Sequence, residues 1–411
     1  MKKIILILLF PVLTFSQGWF IQTSFNPAQS LQLVRFVDAN TGYTSAPLYN
    51  GSNFNIHKTT NGGANWTDQN SGFTSMRWMG IWCITADTVF MGGNFGRIIK
   101  TVNGGANWVL LNTIDTVTQY WGIQFVNSFT GFAVGSAGKI LKTTDRGATW
   151  FQSVTGIQNA LSNIHFRNET TGYVSGGSII IKTTDAGASW LPQSAPYISF
   201  ETIRDISFTD DNNGIAVSDA GRVLKTTNAG ANWSLIPSGT GESLFGIFFT
   251  DANTAYACGN NGAIIRTTNT GANWTSQTSP LTEILTDIWF TNSTTGFIST
   301  WSGKILKTTN GGITFINNIS SEVPISFALE QNYPNPFNPV THFGFRIADF
   351  GFVTLTIYDV SGKIVETLVN GELKAGTYEA EWDASNFSSG IYFYTLSSGN
   401  FKETRKMILI K

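Results

Sequence analysis

One eight-residue phrase, Thr143-Thr144-Asp145-Arg146-Gly147-Ala148-Thr149-Trp150, recurs with small changes seven times along this chain. The copies end at Trp66, Trp108, Trp150, Trp190, Trp233, Trp274 and Phe315, so successive copies lie 42, 42, 40, 43, 41 and 41 residues apart. A period near 40 with one aromatic per unit predicts a β-propeller, with one four-stranded blade per repeat. Seven copies predict an all-β, seven-bladed ring.

The phrase has the chemistry of a tight turn between two strands. Asn61, Asn103, Asp145, Asp185, Asn228, Asn269 and Asn310 offer a side-chain acceptor to backbone N–H groups just downstream. Two positions later stands Gly63, Gly105, Gly147, Gly187, Gly230, Gly271 or Gly312, suited to positive φ. The closing Trp supplies a large apolar face, and its indole N–H is expected to find a carbonyl. Apolar pairs such as Ile140-Leu141 and Val223-Leu224 run into the turn as strands.

This spacing resembles the Asp-box, or bacterial neuraminidase repeat. The fuller unit, with Gly131 to Thr144 ahead of the turn, is similar to the repeats of photosystem II stability/assembly-factor-like propellers. The resemblance covers about residues 30–320 and implies a fold; one fold hosts many activities.

Residues 1–16 read as a secretory signal peptide, with Lys2 and Lys3, a short apolar run, and Thr14 and Ser16 before a cut ahead of Gln17. The propeller is expected over 17–322. Residues 19–24 copy the strand that follows each turn, yet no turn precedes them. They are expected to close the ring by pairing with the last blade; the rival is that Phe315–Ser320 completes it. Residues 323–340 read as a Pro/Asn-rich linker, and 341–411 as a small Ig-like β-sandwich of alternating strands. The tail resembles the type A C-terminal sorting domain of the type IX secretion system of Bacteroidetes. Its carriers are Asn332-Tyr-Pro-Asn-Pro-Phe-Asn338, Ile357-Tyr-Asp-Val-Ser-Gly-Lys363, Gly390-Ile-Tyr and the terminal Lys406–Lys411. That resemblance implies the type IX machinery as partner of residues 326–411. It also implies a secreted or cell-surface protein that passes through the periplasm.

Only 12% of the residues are charged and the net charge is −1, which gives no reason to expect nucleic acid as a partner. No stretch is suited to span a membrane as a helix. Cys83 takes the slot that Phe125, Phe166 and Phe208 hold elsewhere, and Cys258 takes that of Val134, so both are expected buried and reduced. His57, His165 and His342 fall in separate units, and no metal-ligand spacing or cofactor motif is present. Asp210-Asp-Asn-Asn-Gly214 lacks the distal Glu of a calcium loop and reads as a turn.

A glycoside hydrolase would need close carboxylates across a cleft. Asp205 and Asp287 share one repeat phase, and a structural role is expected for them. The arginines, Arg35 and Arg204 among them, are scattered in phase, and no sialidase-like triad can be assigned. Lys58, Lys100, Lys142, Lys182, Lys225, Arg266 and Lys307 share a phase ahead of the turn and are expected to be solvated, mutually screened charges. Aromatics in the segments between blades, including Phe73, Trp78, Tyr120, Trp121, Tyr197, Phe200 and Phe245, are placed to stack on a glycan or anchor a surface protein. The candidate ligand site is therefore Trp78, Tyr120, Trp121, Arg204, Asp205 and Asp287, on a non-catalytic binding propeller. The alternatives are a glycoside hydrolase and an assembly factor for a membrane complex.

Overall fold

The computed structural model describes residues 18–25, 30–46, 56–73, 76–113, 115–153, 155–196, 201–312, 316–384 and 387–411. The expected leader, an insertion at 47–55, and Tyr197, Phe200 and Phe315 lie outside them. The chain divides into a unit spanning Trp19–Gly311 and a second that takes in Gly312–Lys411.

The first unit is a β-propeller. Among its described residues are seven four-stranded antiparallel sheets, one per repeat. In the third, Tyr120–Phe125, Gly131–Gly135, Ile140–Thr143 and Phe151–Ser153 pair in chain order. The first strands of successive sheets lie against one another, and Leu285–Phe290 returns to Leu33–Phe36. Phe20–Ser24 pairs antiparallel with Lys304–Thr308 as the fourth strand of the last sheet. Trp19 stands in for the missing seventh Trp: its ring meets Phe290 edge-on at 5.7 Å, and its indole N–H donates to Gln277 Oε1 at 2.8 Å.

The repeated turn works as its residues suggest, with one difference. Asp145 Oδ1 accepts from the Thr149 N–H at 2.9 Å, and Thr143 Oγ1 accepts from the Gly147 N–H at 2.9 Å. Gly147 sits at φ +82°, where a side chain is strained. Trp150 meets Phe125 edge-on at 6.1 Å. The indole N–H, however, finds a carbonyl only at Trp66, which donates to Gly63 O at 3.1 Å; those of Trp108, Trp150, Trp190, Trp233 and Trp274 have no acceptor among the described residues. The apolar face of the Trp, more than its N–H, is what the repeat selects.

Five of the seven residues of the basic ring are not solvated as expected. Lys58, Lys100, Lys142, Lys182 and Lys307 each donate to a carbonyl in the turn of the following repeat, Gly104, Arg146, Ala186, Ala229 and Gly62, at 2.7 to 2.9 Å. Their ammonium groups lie 5.1 to 5.7 Å from the ring centres of Tyr43, Phe90, Phe132, Tyr173 and Phe297. Each is thus a latch between neighbouring sheets, and Lys307 latches the last sheet to the first.

Gly131 must lie over the Phe125 ring: a Cβ there would fall 2.6 Å from it. Phe-over-Gly pairing recurs with Phe36, Phe166, Phe208 and Phe290. In the second sheet the paired residues are Cys83 and Val89, so volume moves from one partner to the other. Cys258 is buried as expected, but Cys83 is only half-buried, as is Phe249 in the same slot of the sixth sheet; neither cysteine forms a disulfide.

The second unit has two four-stranded sheets. One contains Ile316–Ser320, Gly376–Asp383, Val340–Ile347 and Ala328–Leu329; the other contains Ile364–Leu373, Gly351–Tyr358, Gly390–Ser398 and Phe401–Leu409. Trp382, Phe343, Phe345, Leu355, Tyr394 and Met407 fill the core between them. Two sequence expectations change here. Ile316–Ser320 does not complete the seventh blade but pairs with Gly376–Asp383, since Phe20–Ser24 already holds the blade position. The stretch read as a linker is also bound into this unit. Asn332 and Phe337 are buried; the Asn332 N–H donates to Tyr394 Oη at 2.8 Å, and the Phe337 N–H donates to Ile408 O at 3.0 Å. The prolines lack N–H groups, but the residues between them supply the bonds.

Candidate functional site

The inner strands surround a channel, and the repeat phase sorts its walls into layers. The outermost layer is Gln32, Met79, Trp121, Ser162, Arg204, Phe245 and Thr286, one residue per sheet. In five sheets this residue is an extra one: the pairing slips between Trp78 and Gly80, Tyr120 and Gly122, Ile203 and Asp205, Leu244 and Gly246, and Leu285 and Asp287. Such bulges re-aim a side chain. Here the extra residues line a cavity of about 280 Å³, which Trp301 also borders.

The next layer is Leu33, Gly80, Gly122, Asn163, Asp205, Gly246 and Asp287. A Cβ on Gly122 would lie 2.8 Å from Val134 Cγ2 and 3.1 Å from Asn163 Cα, so glycine lets neighbouring strands close up. Where a polar side chain is present, it bonds the neighbouring strand. Asp205 Oδ2 accepts from the Ile247 N–H at 2.8 Å and Oδ1 from its own Ile206 N–H at 2.7 Å; Asn163 Nδ2 also donates to Oδ1. Asp287 Oδ2 accepts from the Val34 N–H at 2.9 Å and from the Arg35 guanidinium. These inner strands form no sheet with each other, so the side chains satisfy amides that would otherwise be orphaned.

Val34 and an isoleucine from each other sheet pack behind this layer. Beyond it, Arg35, Trp82, Gln124, His165, Ser207, Phe248 and Trp289 surround a second cavity of about 150 Å³. Arg35 lies 4.7 Å from the centre of the Trp289 ring. Both cavities are bordered by Arg35, Asn163, Asp205 and Asp287, which form a polar partition.

Burial dominates the electrostatics. It pushes the Asp205 carboxyl up to about 7; the Ile247 N–H and Arg35 oppose this and the Asp287 charge adds to it. Asp287 is also raised by burial, against the pull of Arg35. Burial holds His165 down to about 4, with Arg167 adding to the effect, so its neutral Nε2 accepts from the Phe208 N–H at 3.3 Å.

Of the residues singled out in the sequence, Trp121, Arg204, Asp205 and Asp287 meet around the larger cavity. Trp78 and Tyr120 do not. Both are wholly buried, and the Tyr120 O–H donates to Asp115 Oδ2 at 3.0 Å. Each stands one residue before a bulge, on the face turned away from the channel. Trp78→Ala should therefore lower the unfolding free energy by about 3–5 kcal/mol. Trp121→Ala should cost less than about 1 kcal/mol. Urea denaturation of the two variants checks this; equal losses would contradict the placement. The sequence does not group Arg35 with Asp205 and Asp287, because its phase lies two residues beyond theirs. Sorting all seven repeats by that second phase brings it out beside Trp82, His165 and Trp289.

Among the described residues, no cluster of three or more His, Cys, Asp or Glu could hold a metal ion, and no helix is long and apolar enough to cross a membrane.

Residues 331–411 match the family model of the secretion system C-terminal sorting domain. The chain carries a type IX sorting domain. The sorting domain marks the chain for export to the cell surface or for secretion. Residues 111–191 and 143–280 match the model of the photosynthesis system II assembly factor YCF48. Among solved structures, YCF48 bound to a D1 peptide is 17% identical with a TM-score of 0.61, over 72% of this chain and 96% of that one. PorZ, a surface component of the type IX secretion system of Porphyromonas gingivalis, is 14% identical with a TM-score of 0.57; the match covers 92% of this chain and 59% of PorZ. The GH74 xyloglucanase of Xanthomonas campestris is 10% identical with a TM-score of 0.56, over 80% of this chain and 60% of that one. These likenesses show the propeller fold. No curated protein matches the chain.

Proposed function

We propose that this protein is a seven-bladed propeller, closed by its own N-terminal strand, that binds a partner at the mouth of its channel. An Ig-like sorting sandwich, beginning near Gly312 and not at 341, delivers it to the cell surface. The layer of bulge residues carries this reading. Five departures from regular pairing, all at one repeat phase, turn a side chain into one cavity, three of them large and apolar or aromatic: Met79, Trp121 and Phe245. Bulges cost ladder bonds, and their concentration at one end of the channel favours a role in recognition.

The hydrolase reading is weaker. Asp205 and Asp287 share a cavity, but each bonds an amide of the neighbouring strand, and Asp287 also bonds the Arg35 guanidinium. A general acid and a nucleophile must be free to approach substrate. The reading as an assembly factor for an inner-membrane complex is disfavoured by the sorting domain. YCF48, of similar fold, has been captured with a peptide, and we take a polypeptide as the partner class here.

Oxidative footprinting of the mature chain, with and without the surface-protein fraction of its host, tests the proposal. Protection of Trp121, Phe245 and Trp301 is expected. Protection confined to the outer strands would move the site elsewhere. Release of reducing sugar from the host's surface polysaccharide would replace binding by hydrolysis.

A further inference from the structure

The cavity at the mouth combines apolar walls with a charged floor that does not balance. Met79, Trp121 and Phe245 stand around it at one level, and Trp301, 55% exposed, borders it. Below them lie two carboxylates and one guanidinium. Arg35 is bonded to Asp287. Arg204, the other cation on the wall, is committed to Asp219 through Nε at 2.9 Å and Nη2 at 3.2 Å. Asp205 is left with neutral partners: the amides of Ile206 and Ile247 and the side chain of Asn163. An ionised carboxylate oxygen accepts two donors readily. Asp205 Oδ2 has one among the described residues, and the side chain borders the cavity.

A buried carboxylate with no cation bonded to it is a costly arrangement, even with Arg35 acting on it from beside Asp287, and its upward-shifted titration reflects that cost. A ligand that brings a positive charge recovers it. Uncharged or anionic tips do not, and an anion would meet Asp205 and Asp287 together. The walls ask for an apolar stem, because aromatic faces attract both methylene groups and an ammonium passing over them. One protein side chain has a long unbranched apolar stem and a compact cationic tip.

On the reading that this cavity binds a polypeptide, we infer that its occupant is a lysine side chain of the partner. The stem lies against Met79 and Trp121, since Arg204 already lies over the Phe245 ring at 5.5 Å, and the ammonium meets Asp205 at the floor. The aromatic wall selects for the stem and the unbalanced carboxylate for the tip.

The test compares two capped pentapeptides, Gly-Gly-Lys-Gly-Gly and the same sequence with norleucine in place of lysine, by saturation-transfer NMR against the mature full chain. Norleucine keeps the stem and removes the charge. The lysine peptide should bind at least ten times more tightly, and its side-chain methylenes should show the strongest transfer. Asp205→Asn should bring the lysine peptide down to the norleucine level while leaving the norleucine peptide unchanged. Asparagine keeps the acceptor for the Ile206 N–H but sets its amide NH2 against the Ile247 N–H, so the variant is expected to lose some stability. The comparison on the unaltered protein stands even if that variant fails to fold. Equal binding of the two peptides would overturn the lysine assignment and leave peptide binding at the mouth intact. Absence of transfer from both peptides, together with no footprint at Trp121, would overturn both.

Discussion

Removing residues 19–24 from the mature chain is expected to abolish the folded monomeric propeller. Those residues are far in sequence from the sheet they complete. Phe20–Ser24 lies against Lys304–Thr308, and the Phe25 N–H donates to Gly303 O at 2.8 Å. Without them Lys304–Thr308 becomes an open edge, a ready site for pairing with another chain. Trp19 would leave its place against Phe290, where it is 4% exposed. Trp19→Ala alone should cost about 3–5 kcal/mol, a large share of the 5–15 kcal/mol typical of a folded domain. Size-exclusion chromatography and urea denaturation read both variants. A deletion protein that elutes as a monomer with unchanged midpoint would mean that the ring closes by other contacts. Those contacts would be Lys307 with Gly62 O, the Asp287–Arg35 pair, and the Phe36–Phe297 stack at 3.8 Å.

The closing strand was legible in the sequence because Trp19 and the residues after it copy a repeat without its turn. The repeat also exposed the sheets, and the phase shared by Asp205 and Asp287 located one layer of the channel. The bulges were not legible. A bulge residue is an ordinary strand residue in sequence, and the same slip occurs whether the residue after it is Gly122, Asp205 or Asp287. Trp78 and Tyr120, expected in the segments between blades, instead begin inner strands, and the slip after each leaves them facing away from the channel. The lysine latches escaped for a related reason. Their acceptors are carbonyls, which carry no sequence signal, some 46 residues away in the case of Lys58. Ile316–Ser320 resembled an outer blade strand, and only the competition for that place by Phe20–Ser24 frees it to join the tail.

The second large effect lies in the tail. Phe401–Leu409 pairs with Gly390–Ser398 along its whole length and buries Met407 and Leu409. It also holds the segment ahead of the sandwich: Gln331 Nε2 donates to Lys406 O at 2.9 Å, and the Ile410 N–H donates to Phe337 O at 3.0 Å. Deleting Lys402–Lys411 removes two core side chains, each worth about 2–5 kcal/mol. It also strips one sheet edge and releases Phe337, so the tail should unfold as a unit. The propeller, Trp19–Gly311, has its own core and should remain folded. The measurement that tests the account most directly is therefore cell fractionation with surface protease digestion, on the full chain and on the chain lacking Lys402–Lys411, in a host with the type IX route. The full chain should reach the surface, and the truncated chain should stay in the periplasm with a protease-resistant propeller. Surface delivery of the truncated chain at the level of the full one would contradict it.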